Sequence, residues 1–305
     1  MKAWLADLVG VPEAPNKPFP SAATQKNAQE VFCRMGGREF NYLADILYPT
    51  TNEGPSFAVV AAFKIGHTNA DAAIPKLIGM FSGYAAPGAA ACLAGIGPDA
   101  IPFLLKALTD KDVQVRRYAI IALGEFGPSA KPAIPLLLKR YKKEETAVRA
   151  NILITLGQIG QDPGNVVPIL VQCLKSDEPV IRGNSIFALG EFGDNAMNAA
   201  PELFKLLRDD DANVRNNAAT VIMRLNLTES YIPNLVSNVV NPDPAVRSLI
   251  AQALGKQEHT NEVFAALLKL TNDPDRYVRE SAGVTLNQIG YKPPVNVNKL
   301  RGLNQ

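Results

Sequence analysis

Six arginines are the residues best able to act chemically as a set: Arg116, Arg149, Arg182, Arg215, Arg247 and Arg279. Their intervals are 33, 33, 33, 32 and 32 residues, and each follows valine except Arg182, which follows Ile181. Guanidinium groups in register could track phosphates or clasp carboxylates in bidentate fashion. A carboxylate stands four residues before every one of them: Asp112, Glu145, Glu178, Asp211, Asp243 and Asp275. Each arginine thus has one carboxylate a helical turn earlier in its own repeat and another in the neighbouring unit. The row therefore reads as a neutralised structural ladder, the earlier carboxylate pairing with its arginine, and such a ladder attracts no phosphate.

Little else in the chain has catalytic spacing. Its two histidines, His67 and His259, sit in unrelated contexts. Cys33, Cys92 and Cys173 are far apart and odd in number. They fit buried small hydrophobes in a reducing compartment better than a disulfide framework or a zinc site. No Gly-rich phosphate loop and no Ser/His/Asp or Cys/His set is present. The expectation is no catalytic residue, no metal and no cofactor.

These arginines recur because the chain that positions them recurs. Self-similarity at this period marks a solenoid, whose units bury their apolar faces only by stacking on neighbours. A length of 305 residues and 47% hydrophobic against 20% charged residues suit such an array. Thirty-one basic residues against twenty-nine acidic ones give no field for gathering nucleic acid or anionic membrane. No stretch approaches the ~18 apolar residues of a membrane span. Asp7 interrupts the apolar start of the chain, so a cytoplasmic protein is expected, although a chain trimmed of an export signal would read alike.

Residues 1–20 carry four prolines and are expected to form an extended arm. Residues 21–55 are read as a degenerate helical cap, 56–290 as about eight helix pairs, and 291–305 as a loose tail. In each full unit a first helix is expected to open at proline: Pro75, Pro102, Pro135, Pro168, Pro201 and Pro233. An acidic turn follows, and the carboxylate four before the arginine can also cap the second helix. That helix reads V-R-x-x-A-x-x-A-L-G, with apolar residues three, four, seven and ten places after the arginine on one side. Gly127, Gly160, Gly193 and Gly290 are placed to end four of these helices.

The string D-x-x-x-V-R-x-x-A-x-x-A-L-G-x-x-G, clearest from Asp112 to Gly127, resembles the HEAT-repeat family, and most closely its phycobilisome-lyase-like subclass. The resemblance covers roughly residues 55–290. It implies an all-α, right-handed superhelix of tandem helix pairs, with second helices lining a concave groove. In that family the turn aspartate and the arginine pair along the stack.

Positions two, five and nine after the arginine lie opposite the apolar stripe and would floor that groove. Position two gives Tyr118, Asn151, Asn184, Asn217, Leu249 and Ser281. A ladder of three asparagines can bond the main chain of an extended peptide of any sequence. It can equally fill a solvated face by bonding itself or a neighbouring helix. Position five includes Ile121, Ile154 and Phe187, and position nine Glu125, Gln158 and Glu191. Phe187 could anchor a partner side chain, or superhelical curvature could bury it.

The family includes di-iron hydroxylases, which need repeated His-Glu pairs, and none occurs here. Its glycosylase members need a cationic, aromatic-lined groove, whereas the single tryptophan, Trp4, lies outside the repeats. The leading expectation is a non-enzymatic scaffold binding an extended segment or helix of another protein. The alternatives are a lyase-type accessory protein handling a linear tetrapyrrole or its acceptor, and, third, a nucleic-acid-binding protein.

Overall fold

Asp112 shows how a second helix starts. Its backbone is extended and its carboxylate accepts the Gln114 N–H at 2.8 Å, satisfying a donor the first helical turn leaves free. Asp243 accepts the N–H of Ala245, while Asp211 and Asp275 each accept two N–H groups. Glu145 and Glu178 occupy the same position without making a side-chain cap. Glutamate carries one methylene more than aspartate, which takes its carboxylate past the nearby amides.

A computed structural model describes residues 70–83 and 86–291. The chain divides into two compact units, 1–166 and 167–305, a division of which the repeat pattern gives no sign. The expected arm at 1–20, the cap at 21–55, the first helix pair, His67, Cys33 and all of the tail but Tyr291 lie outside the described residues.

In the first unit, α1 (Ala70–Gly79) precedes α2 (Ala86–Ile96), α3 (Ile101–Ala107) precedes α4 (Val113–Glu125), and α5 (Ile134–Tyr141) precedes α6 (Thr146–Ile159). The next helix, α7 (Pro163–Cys173), runs through the division. In the second unit come α8 (Pro179–Phe192), α9 (Ala200–Leu206), α10 (Ala212–Arg224), α11 (Ile232–Ser237), α12 (Pro244–Leu254), α13 (Asn261–Leu270) and α14 (Arg276–Gln288). Second helices form one layer in each unit: α2, α4 and α6 pack in sequence in the first, and α8, α10, α12 and α14 in the second. No strand occurs among the described residues, and the architecture is an all-α solenoid of tandem helix pairs.

The core follows the arginine-based count. Positions four and seven after the arginine are buried in Ile120 and Leu123 and in Ile186 and Leu189, and in α12 Ile250 at position three is buried with Leu254 at position seven. Each such side chain stabilises the stack by roughly 1.5–3 kcal/mol relative to leaving it in water. The glycine one place further lets second helices approach closely. A Cβ on Gly255 would lie 2.4 Å from Cγ2 of Thr285, a buried residue of the next second helix.

Helix ends are only partly as expected. Gly160 adopts the left-handed conformation (φ 59°, ψ 24°) and returns its N–H to the Leu156 carbonyl at 3.1 Å. Gly127, Gly193 and Gly290 also have positive φ. Pro102, Pro135, Pro201 and Pro233 lie within the first two residues of their helices. Pro75 and Pro168 instead lie inside α1 and α7. Residues before the other four prolines wind as short 3-10 turns, whereas in α1 and α7 they already belong to the α-helix. The helix therefore starts earlier and gives up a backbone bond at each proline.

Candidate functional site

Two constellations follow from the repeat: the arginine row and the outward stripe of the second helices. Arg116, Arg182, Arg215 and Arg247 pair along the stack with the turn of the next repeat, as the resemblance implies, and not with the carboxylate four residues before them. Arg182 donates from Nε and Nη2 to Asp209 at 2.8 and 2.7 Å, and Arg247 likewise to Asp273 at 2.7 Å from both nitrogens. Arg116 grips Glu144 at 2.9 Å from both nitrogens. Each partner lies on the turn of the next repeat, five or six residues before that repeat's own arginine. The aspartates four residues before the arginine are occupied in capping their own helices.

Arg215 shows the rule by its exception. The residue six before Arg247 is Asn241, whose amide donates to the Leu207 carbonyl at 2.9 Å and which carries no charge. Arg215 therefore donates from Nε to Asp243 at 2.8 Å, and Asp243 both caps α12 and receives the cation. Every one of these arginines also donates from Nη1 to two carbonyls of its own turn, as Arg247 does to Asn241 and Pro242. Arg149 stacks its guanidinium over Tyr141, 4.9 Å from the ring centroid, and donates to the phenol oxygen at 3.1 Å.

Arg279 repeats the carbonyl clamp, with bonds of 2.7 and 2.8 Å to Asp273 and Pro274. Among the described residues its Nε and Nη2 meet no carboxylate. The electrostatics match the geometry. Bonds to Glu144, Asp209 and Asp273 raise Arg116, Arg182 and Arg247 above the usual arginine value. Arg247 in turn holds the Asp273 carboxyl below the usual carboxylate range. For Glu144, burial opposes ionisation, yet Arg116 and Arg140 together hold its carboxyl low.

Members of the outward stripe differ in what they present. Tyr118 is half-buried against Phe81, with ring centroids 6.0 Å apart, and Arg117 lies over it at 5.6 Å. Asn151, half-buried in the first unit, donates its amide to the Ala147 carbonyl of its own helix at 3.1 Å. Glu125 and Gln158 are exposed in that unit. In the second unit Asn184 is half-buried, while Asn217 and Glu191 are exposed. Phe187 is 43% exposed.

Sequence reasoning missed a fourth column. The position two residues before each arginine falls, at about 100° per residue, between positions five and nine. In the second unit it holds Val180, Asn213, Ala245 and Tyr277, all exposed. Counting backward from the arginine as well as forward would have found it. Glu144, Asp209 and Asp273 were also missed, although each lies in the acidic turn that ends a first helix. Among the described residues no group of three or more His, Cys, Asp or Glu side chains could hold a metal ion. No single described helix is long and apolar enough to cross a membrane.

The tandem helix pairs have a counterpart among known families. The profile of HEAT repeats matches residues 70–157, 101–189, 167–240 and 232–304, together more than half of the chain. This chain belongs to the HEAT-repeat family. An engineered protein shares 20% identity with it over 95% of this chain and 88% of its own, with a TM-score of 0.51. The archaeal HEAT-like repeats protein from Thermococcus onnurineus NA1 shares 15% identity over 71% of this chain and 96% of its own, with a TM-score of 0.50. At such identity these likenesses concern the HEAT fold alone. A search of curated proteins returns no significant match.

Proposed function

We propose that this HEAT-repeat chain is a non-enzymatic scaffold that binds a segment of another protein on the outward stripe of its second helices. One observation carries the reading. Phe187 stands exposed on α8 between Asn184 and Glu191 of the same stripe, and α8 packs against α10, whose stripe presents the exposed amide of Asn217. An apolar anchor among donors and acceptors suits a peptide, whose main chain needs both. Within the family, the V-R-x-x-A-x-x-A-L-G string supports placement in the phycobilisome-lyase-like subclass. The cysteine pattern supports a cytoplasmic setting.

A photo-crosslinking amino acid placed in the living cell at Phe187 or at Gln252 tests this reading, with Lys205 and Lys269 on the first helices as controls. The expected result is one partner protein captured from both second-helix positions and from neither control. Capture from the first helices alone, or no capture from either second-helix position, overturns it.

A further inference from the structure

The second unit distributes its exposed apolar side chains unevenly, and the pattern restricts what can lie on it. Four of them fall on the outward stripe of only two helices. Val180 and Phe187, 49% and 43% exposed, stand two turns apart on α8, and Tyr277 and Val284, 75% and 56% exposed, stand two turns apart on α14. Between these helices lie α10 and α12, packed in sequence. The stripe of α10 carries Asn213, Asn217 and Thr220, that of α12 carries Gln252 with the small Ala245 and the half-buried Leu249, and the two end in Arg224 and Lys256, both exposed. Neither cation forms an ion pair among the described residues, whereas Arg182, Arg215 and Arg247 of the same unit all hold carboxylates.

Resting on the protein-binding reading above, we propose that this face takes an extended acidic segment of a partner protein, with an apolar side chain near each end. Adjacent helices in such packing lie roughly 8–10 Å apart, and an extended chain advances about 3.3 Å per residue. Three helix steps from α8 to α14 thus correspond to about eight or nine residues. One apolar side chain meets Val180 and Phe187, the other meets Tyr277 and Val284. Aspartates or glutamates about three residues apart fall between them, opposite Arg224 and Lys256. The cations supply the choice of partner charge and the apolar rungs most of the affinity. A segment with lysines at its centre would leave like charges facing each other.

A phage-displayed library of linear twelve-residue peptides, selected against the full chain, reads this preference directly. Enriched peptides are expected to carry central acidic residues flanked by apolar ones about nine positions apart. Against the double variant Arg224→Glu/Lys256→Glu the central preference should invert to lysine and arginine. The Phe187→Ala/Tyr277→Ala variant should bind the wild-type winners at least about tenfold more weakly, with an unchanged melting temperature showing that the fold persists. Enrichment of basic peptides, an unchanged preference in the charge-reversed variant, or no enrichment at all would overturn the proposal. If crosslinking from Phe187 still captures a partner in any of those cases, the protein-binding reading stands and only the assignment of an acidic segment fails.

Discussion

Arg247 and Arg279 make the corresponding two bonds to their own turns, but among the described residues only Arg247 also grips a carboxylate, that of Asp273. Arg247→Ala is therefore expected to destabilise the protein by about 2 kcal/mol, because it leaves a largely buried carboxylate unpaired. Arg279→Ala should cost under about 1 kcal/mol. Urea denaturation of both variants makes the comparison, and equal losses would mean that the carbonyl clamp alone matters. The same pair sets a pH dependence. The carboxyl of Asp273 is held low by Arg247, so its folded value lies below its unfolded one. The stability this provides is complete above about pH 4 and is lost as pH falls through the lower folded value. Asp273→Asn should thus be less stable at neutral pH, and its deficit should shrink in titrations carried toward about pH 2.

At the scale of the element, helix caps and helix contacts are separable. Asp211 accepts two N–H groups at the start of α10. Asp211→Ala should cost about 1 kcal/mol, measurable as a lowered denaturation midpoint. Gly255 tests the contact between second helices. Alanine there would add helix propensity, yet its Cβ would fall on the Thr285 methyl, whose side chain is buried and β-branched. Overpacking outweighs propensity, and Gly255→Ala is expected to be destabilising by about 1–2 kcal/mol. A stabilised variant would show that α14 can shift away without loss.

For the whole molecule, repeat stacking makes stability nearly a sum of nearest-neighbour terms. Disturbing Gly255 should accelerate amide hydrogen exchange in α12 and α14 while leaving the protection of α4 and α6 unchanged. Uniform acceleration through all helices would instead indicate one cooperative unit. The functional prediction belongs to this scale too, because the exposed apolar rungs on α8 and α14 acquire meaning only when four second helices lie in one layer.

Much of this was legible in the residues. The arginine interval fixes the repeat, and the positions three, four and seven places later fix the buried side of each second helix. The aspartate and glycine at its ends fix most of its limits. All of these rest on contacts within about one or two helical turns, which spacing along the chain encodes directly. Which carboxylate of the next turn each arginine holds was not legible. Asp112, Asp211, Asp243 and Asp275 turn inward to their own amides, and the arginines reach instead to Glu144, Asp209 and Asp273, or to Asp243 where Asn241 stands in the preferred place. That choice depends on the offset between stacked repeats, 26 to 28 residues apart in the chain. Exposure was equally hidden, since Tyr118 and Phe187 are both aromatic side chains on the same helix face. The sequence by itself determined which elements form and which side of each is apolar, because periodicity is local. Only tertiary structure decided which carboxylate each arginine holds and which side chains remain for a partner, because both follow from how one repeat rests on the next.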